Sequence, residues 1–310
     1  MPSPKYKPYL DGQGGVKIGL SPISESKWLE IDDKFINEIH LKKELLETNR
    51  NEVLQIVEGC EGEQNEVLES ILNNLIKFHS ENFKISKDSV YIESTNDLYK
   101  LNQFKNPIEL ASLLVQEDLV LMSPKKDKFY LEAASLSAPS HWSLTEKFSK
   151  SLMDLHEGVP GYKEDIGERV NEIFKKLPAD RILERYNWSI YDDPKLFQPV
   201  HSKPFVEFRE TNPSKLFLRV ERQTIRKLPI HGTVLFTIRV YVDPIESILN
   251  DKHALTSLKK AVENLSEPMK KYKSIDQFEK SLVIWLTKKL NNVESKNSNN
   301  KNKDGNTGKL

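Results

Sequence analysis

Two segments of alternating polarity, residues 216–224 and 233–242, constrain the fold more than any other feature of the chain. Apolar side chains recur there at every second position, as on a strand whose successive side chains point to opposite faces. Leu228-Pro229-Ile230-His231-Gly232 lies between them and reads as the turn of an antiparallel hairpin. Helical patterns flank the hairpin on both sides. Upstream, Trp28, Ile31, Phe35, Ile36 and Ile39 recur at spacings of three and four, with Leu45 and Leu46 beyond them, so a helix is expected from Trp28. Val67, Leu68, Ile71, Leu72, Leu75 and Ile76 form a clearer stripe. Downstream, Leu255, Leu258, Val262 and Leu265 mark one helix, and Phe278, Leu282, Trp285, Leu286 and Leu290 another. Helices, then strands, then helices argue for an α+β protein with a mainly antiparallel sheet and helices at both ends of the chain.

Weaker signals fill the gaps. Residues 83–91 read as a short hairpin or a loop, Pro107 as the start of a helical turn, and Phe129-Tyr130-Leu131 as a strand after a turn at 125–128. Ser143-Leu144-Thr145-Glu146 is a capping box, and the helix it opens is expected to carry Leu144, Phe148, Leu152 and Leu155 before Gly158 and Pro160 stop it. Ile166, Val170, Ile173, Phe174 and Leu177 form the inward stripe of the next helix, over 163–177. From Asn291 the chain is Asn, Lys, Ser and Gly, too polar to offset the entropy of ordering. Residues 1–290 therefore read as one domain and 291–310 as a disordered tail.

Composition removes several function classes. Lys and Arg total 46 and so do Asp and Glu, leaving no net charge and no basic field for nucleic acid. A single cysteine, Cys60, excludes an intramolecular disulfide, a zinc ribbon and a cysteine-ligated iron–sulfur cluster in this chain. Its neighbours Glu58 and Glu61 disfavour a thiolate. No glycine fingerprint for nucleotide phosphates follows a strand. No run reaches the ~18 apolar residues of a membrane span, and the first residues lack an apolar signal region, so no membrane partner and a cytoplasmic location are expected.

Among the seven histidines none has a two-ligand helix spacing, but a single axial ligand for haem needs only one side chain and an apolar slot. His156 fits best, four residues after Leu152 and in the last turn before Gly158. The alternative is a half-buried histidine bonded to a backbone carbonyl. Arg222 continues the row Leu216, Leu218, Val220 and so points inward, where a guanidinium needs an anion or a polarisable ligand. The alternative is an arginine that snorkels to water or pairs with Glu. Arg185, Asn187 and Arg239 are polar within apolar surroundings, and the pattern leaves Asn187 open between a turn cap and a ligand contact.

These segments, in order, resemble the haem-bearing alpha subunit of the haem-dependent oxidative N-demethylase family. The stretches that carry the resemblance include Trp28-Leu29-Glu30-Ile31-Asp32, Pro139-Ser140-His141-Trp142 and Leu155-His156-Glu157-Gly158-Val159-Pro160-Gly161-Tyr162. Arg185-Tyr186-Asn187-Trp188, Arg219-Val220-Glu221-Arg222-Gln223-Thr224 and Phe236-Thr237-Ile238-Arg239-Val240-Tyr241 continue it over nearly the whole chain. The resemblance implies a PAS-like domain holding haem b and using dioxygen to remove a methyl group from a small secondary amine such as dimethylamine, with release of formaldehyde. It implies a partner reductase that carries FMN and an iron–sulfur cluster. By the same resemblance His156 is the iron ligand, Arg222 lines the oxygen side, and Glu221, Asn187 and Arg239 are pocket or propionate contacts. A haem or small-ligand binding or sensing module without turnover is the alternative on the same fold.

Overall fold

The computed structural model describes residues 1–15, 17–199 and 212–304, with side chains up to residue 292. An extended lead-in contributes β1 (Ser21–Ile23). Helices α1 (Phe35–Thr48) and α2 (Arg50–Val53), strand β2 (Leu54–Ile56) and helix α3 (Glu61–Phe78) follow. A small meander of β3 (Phe83–Ile85), β4 (Ser89–Ile92) and β5 (Asp97–Lys100) leads into α4 (Pro107–Leu113). The centre holds β6 (Asp118–Lys125), β7 (Lys128–Ser135), α5 (Leu144–Lys147), α6 (Leu152–Leu155) and α7 (Gly167–Lys176). Long strands β8 (Ile182–Tyr191), β9 (Phe217–Lys227) and β10 (Val234–Pro244) come next, then α8 (Lys252–Glu263), α9 (Glu267–Tyr272) and α10 (Glu279–Asp304).

The expected α+β architecture is what forms. Seven strands build one antiparallel sheet in the order β1-β8-β9-β10-β6-β7-β2. The register runs unbroken through β8, β9 and β10, so opposed residues share a face. Tyr186, Arg222 and Arg239 lie side by side on the first face, and Asn187, Glu221 and Val240 on the second.

Each face is covered by different parts of the chain. On the first, Leu119, Leu121 and Leu235 pack with Ile39, Ile71 and Leu75 of the N-terminal helices. Trp188, Val220 and Tyr241 on the same face pack with Leu255, Leu258 and Leu282 of the C-terminal helices. On the second, Val120 and Ile225 meet Leu152, Leu155 and Phe174 of α6 and α7. Full burial of each such leucine is worth about 1.5–3 kcal/mol.

Two expectations are corrected. The first helix begins at Phe35, not Trp28. The chain between them is irregular because its amides have other acceptors: Glu30 N–H donates to Glu117 Oε1 at 2.9 Å and Asp32 N–H to Gln116 Oε1 at 3.0 Å. The helix from Ser143 lasts a single turn. Ser149 has φ +61° and the chain instead bonds to β7, Leu131 N–H to Lys150 O at 3.0 Å and Ser149 N–H to Leu131 O at 3.2 Å. A second cap, Ser151, then starts α6, so His156 and Phe148 do not share a helix. Strand β8 had no legible alternation, because the five residues from Leu183 to Asn187 are half-buried on both faces. The backbone of α10 runs to Asp304, through most of the stretch read as a tail; residues 305–310 lie outside the described residues.

Candidate haem site

The second face carries a group of polar side chains around one imidazole. His156 follows α6, whose capping serine Ser151 accepts from Asp154 N–H and donates to Asp154 Oδ2 at 2.6 Å. The packing of Leu152 and Leu155 against the sheet fixes where the ring sits. His156 Nδ1 lies 2.9 Å from Leu152 O, which sets the tautomer with the proton on Nδ1. The lone pair of Nε2 is then available to a metal, and a second ring contact of this kind is what orients metal-binding histidines. The ring stacks flat on Tyr162, with centroids 4.0 Å apart and planes within 3°. Burial, with smaller contributions from the charges of Arg185 and Lys147, pulls the imidazole down to about 4, against the opposing effect of the Leu152 bond. The ring is therefore neutral at pH 7, the form that ligates iron.

Tyr162 reaches this position through a wide turn, Tyr162–Ile166, entered from Gly161 at φ +77°. The positive φ favours glycine there; a Cβ would also fall 2.7 Å from Asp165 Oδ2, which an exposed carboxylate can relieve by turning away. The Tyr162 hydroxyl is buried without a partner among the described residues, and burial raises it to about 12.

On the same face of the sheet, β8 and β9 supply Arg185, Asn187, Glu221 and Gln223, and the field of Arg185 reaches both His156 and Tyr162. Arg185 donates to Lys17 O at 2.9 Å, while its buried Nε has no partner among the described residues. Gln223 donates to Glu221 Oε2 at 2.7 Å, and its own Oε1 is buried and unpartnered among those residues. Lys273, at the end of α9, reaches the edge of β8 and donates to Trp188 O and, at 3.1 Å, to Asn187 Oδ1. Half-buried Leu20, Trp142, Phe148, Leu183, Phe236 and Ile238 supply apolar walls on the same side.

Arg219, also on this face, is differently occupied. It donates to Ser140 Oγ and to the carbonyls of Ala138, Pro139, Lys195 and Leu196, and so ties two loops together. His141 belongs to one of those loops and stacks on Tyr191 with centroids 4.3 Å apart.

Of the five residues singled out from the sequence, the fold brings His156, Asn187 and Glu221 to one side. Arg222 and Arg239 go to the other. Arg222 points inward as its row requires, but its Nε donates to Glu184 Oε2 at 3.1 Å and its terminal nitrogens to the carbonyls of Trp28 and Lys27. Arg239 pairs with Asp32 at 2.9 Å and with Glu38 at closer range. Both hold the N-terminal layer to the sheet, and neither faces His156.

Sequence reasoning passed over Tyr162, Gln223 and Lys273. Tyr162 and Gln223 stood inside the quoted motifs, and strand alternation placed Gln223 beside Glu221. Lys273 carried no local signal, because only the tertiary fold brings α9 to β8. A cavity of about 310 Å³ beside Cys60 and His231 lies elsewhere, at the hairpin end of β6 and β10. Burial raises the Cys60 thiol, which donates to Val57 O at 3.0 Å, so it is no nucleophile.

Fold and site together define an α+β protein with a neutral imidazole presented on one face of an antiparallel sheet, among apolar walls and unpaired polar atoms. A family model for the haem-dependent oxidative N-demethylase, alpha subunit-like, matches residues 19–283. The chain belongs to that family, whose members are described as haem-dependent. Among the described residues no helix is long and apolar enough to cross a membrane.

Proposed function

We propose that this chain binds haem b through His156 in a PAS-like pocket on the second face of the sheet and oxidatively demethylates a small secondary amine such as dimethylamine. Formaldehyde is the released product, and electrons come from a partner reductase carrying FMN and an iron–sulfur cluster. The observation that carries the reading is the state of His156: half-buried, neutral, fixed by its Nδ1 bond, and stacked on Tyr162. Haem supplies the one-electron and oxygen chemistry that side chains cannot perform. The residues of the chain orient and select. Tyr162 keeps the imidazole plane fixed. Leu183, Phe236 and Ile238 exclude water from the slot. Glu221, with Asn187 beside it across β8 and β9, is the carboxylate available to an ammonium group.

The test is an absorption spectrum of the full chain after haem-replete expression, beside His156→Ala. A Soret band in the wild type that is lost or displaced in the variant supports the reading. A colourless wild type overturns it. A second reading, haem binding without turnover, is favoured by the placement of Arg222 away from His156. Formaldehyde release from dimethylamine with a surrogate electron donor separates the two.

A further inference from the structure

We propose that Arg185 and Lys273 form a clamp for a pair of carboxylates, and that the occupants are the two propionates of the haem, a proposal that rests on the haem reading above. The first argument is charge. Arg222 and Arg239 on the opposite face each have carboxylates within 4 Å, and the second-face Arg219 has its five neutral acceptors and the nearby charges of Glu221, Asp118 and Asp193. Arg185 and Lys273 bond to no carboxylate among the described residues; their acceptors are one amide oxygen and backbone carbonyls. Glu221 is the carboxylate whose field reaches both. Two cations against one anion leave an excess positive charge in a half-buried site, an arrangement that is costly until an anion arrives.

The second argument is open valence. Arg185 Nε is buried and unpartnered among the described residues, and an ammonium has three donors, of which Asn187 Oδ1 and Trp188 O use two on Lys273, whose Nζ also lies 5.4 Å from the centroid of the Trp188 ring. The third is position. Lys273 is anchored on Asn187, which lies two residues beyond Arg185 on the same face, about 7 Å along the strand. Each cation depresses the other or its neighbours: Lys273 is drawn down to about 8, by burial first and by Arg185 in the opposite sense to Glu221, and the field of Arg185 also reaches His156. Arg185 is thus the arm of the clamp that lies toward the proposed iron ligand.

One consequence concerns substrate. Without an anion, this corner repels a protonated amine. Two bound carboxylates turn an excess of one positive charge into an excess of one negative charge, and the same corner then attracts an ammonium toward Glu221. Amine recognition is in this way conditional on the acid arms of the porphyrin.

The experiment titrates the haem-free full chain with iron protoporphyrin IX and with its dimethyl ester, which keeps the ring and the iron but neutralises both arms. The Soret band is the readout. Wild type should prefer the free acid by about tenfold or more, the scale of a charge-assisted contact. Arg185→Gln and Lys273→Met should each bring that ratio toward one while leaving ester affinity unchanged, and Lys273→Arg should retain it. Thermal melts of each haem-free variant separate misfolding from loss of the clamp, and Lys273→Arg keeps the edge of β8 capped. Equal affinities in the wild type, or variants that keep the full preference, overturn the clamp while leaving the haem reading intact. Failure of the wild type to bind either porphyrin overturns both.

Discussion

The two faces of the sheet handle buried cations in opposite ways. On the first face, Arg239 lies between Asp32 and Glu38, with Glu117 and Lys42 close by, and Lys42 gives all three of its donors to the carbonyls of Ser112, Val115 and Glu117. Glu30 there gathers Tyr6, Tyr241, Lys5 and the field of Arg222. The network fastens the lead-in and α1 to the strands and pairs its arginines with carboxylates, leaving Arg239 Nε and Glu117 Oε2 without partners among the described residues. On the second face, Arg185, Lys273, Gln223 and Tyr162 keep donors or acceptors without protein partners among the described residues. Arg222 and Arg239 are answered by carboxylates and support the fold, whereas Arg185 and Lys273 are answered only by carbonyls and an amide oxygen.

The largest expected effect tests the first face. Arg239→Leu removes the guanidinium that compensates Glu38 and Asp32 and should cost about 3–5 kcal/mol of stability, read from urea unfolding. Haem affinity of whatever fraction folds should be unchanged. An Arg239→Leu protein that unfolds at wild-type urea concentrations but loses haem would invert the roles assigned to the two faces.

The next effect belongs to His156. Its native value of about 4 is below the ordinary 6.5, so between those values the unfolded chain binds the extra proton and stability rises with pH. In haem-free protein this contribution is complete below about pH 4, where it removes up to about 3 kcal/mol relative to pH 7. The stability gap between wild type and His156→Gln should therefore shift in favour of the variant as pH falls from 6.5 to 4. A gap that does not move with pH means the ring is solvated.

Ser151→Ala removes the cap of the short helix that delivers His156 and should cost about 1 kcal/mol. It should also broaden the Soret band, since the ligand is less well fixed. The smallest effect is Tyr162→Phe, which keeps the stack and removes an unpartnered hydroxyl. Stability in the haem-free state should change by less than about 1 kcal/mol, toward greater stability. A large loss would show that the hydroxyl has a partner.

Much of the architecture could be read from residue order alone. The hairpin of β9 and β10, the stripe of α3 and the sequence of helices, strands and helices were all legible because their periodicity is strong. What escaped has a physical cause in each case. Trp28 and Ile31 have helical spacing, yet the side chains of Gln116 and Glu117 claim the intervening amides. Ser143 and Ser151 are both good caps, and sequence does not say that β7 interrupts the helix between them. At the site, alternation placed Glu221 and Arg222 on opposite faces but could not say which face would pair its arginines with carboxylates. That depended on Glu184 and on the carbonyls of Lys27 and Trp28, which lie far away along the chain.

Glu221 and Arg222 are consecutive residues in the middle of an eleven-residue strand whose pairing with both neighbours has no bulge. A slip of β9 by a single position would exchange them, pushing a carboxylate among Glu30, Glu38 and Glu117 and a guanidinium beside His156. Loop-length changes of one residue at Leu228–Gly232 are thus more dangerous than their surface location suggests, while changes of two preserve the parity of every side chain downstream. Any attempt to graft this hairpin onto another scaffold inherits the same odd–even rule.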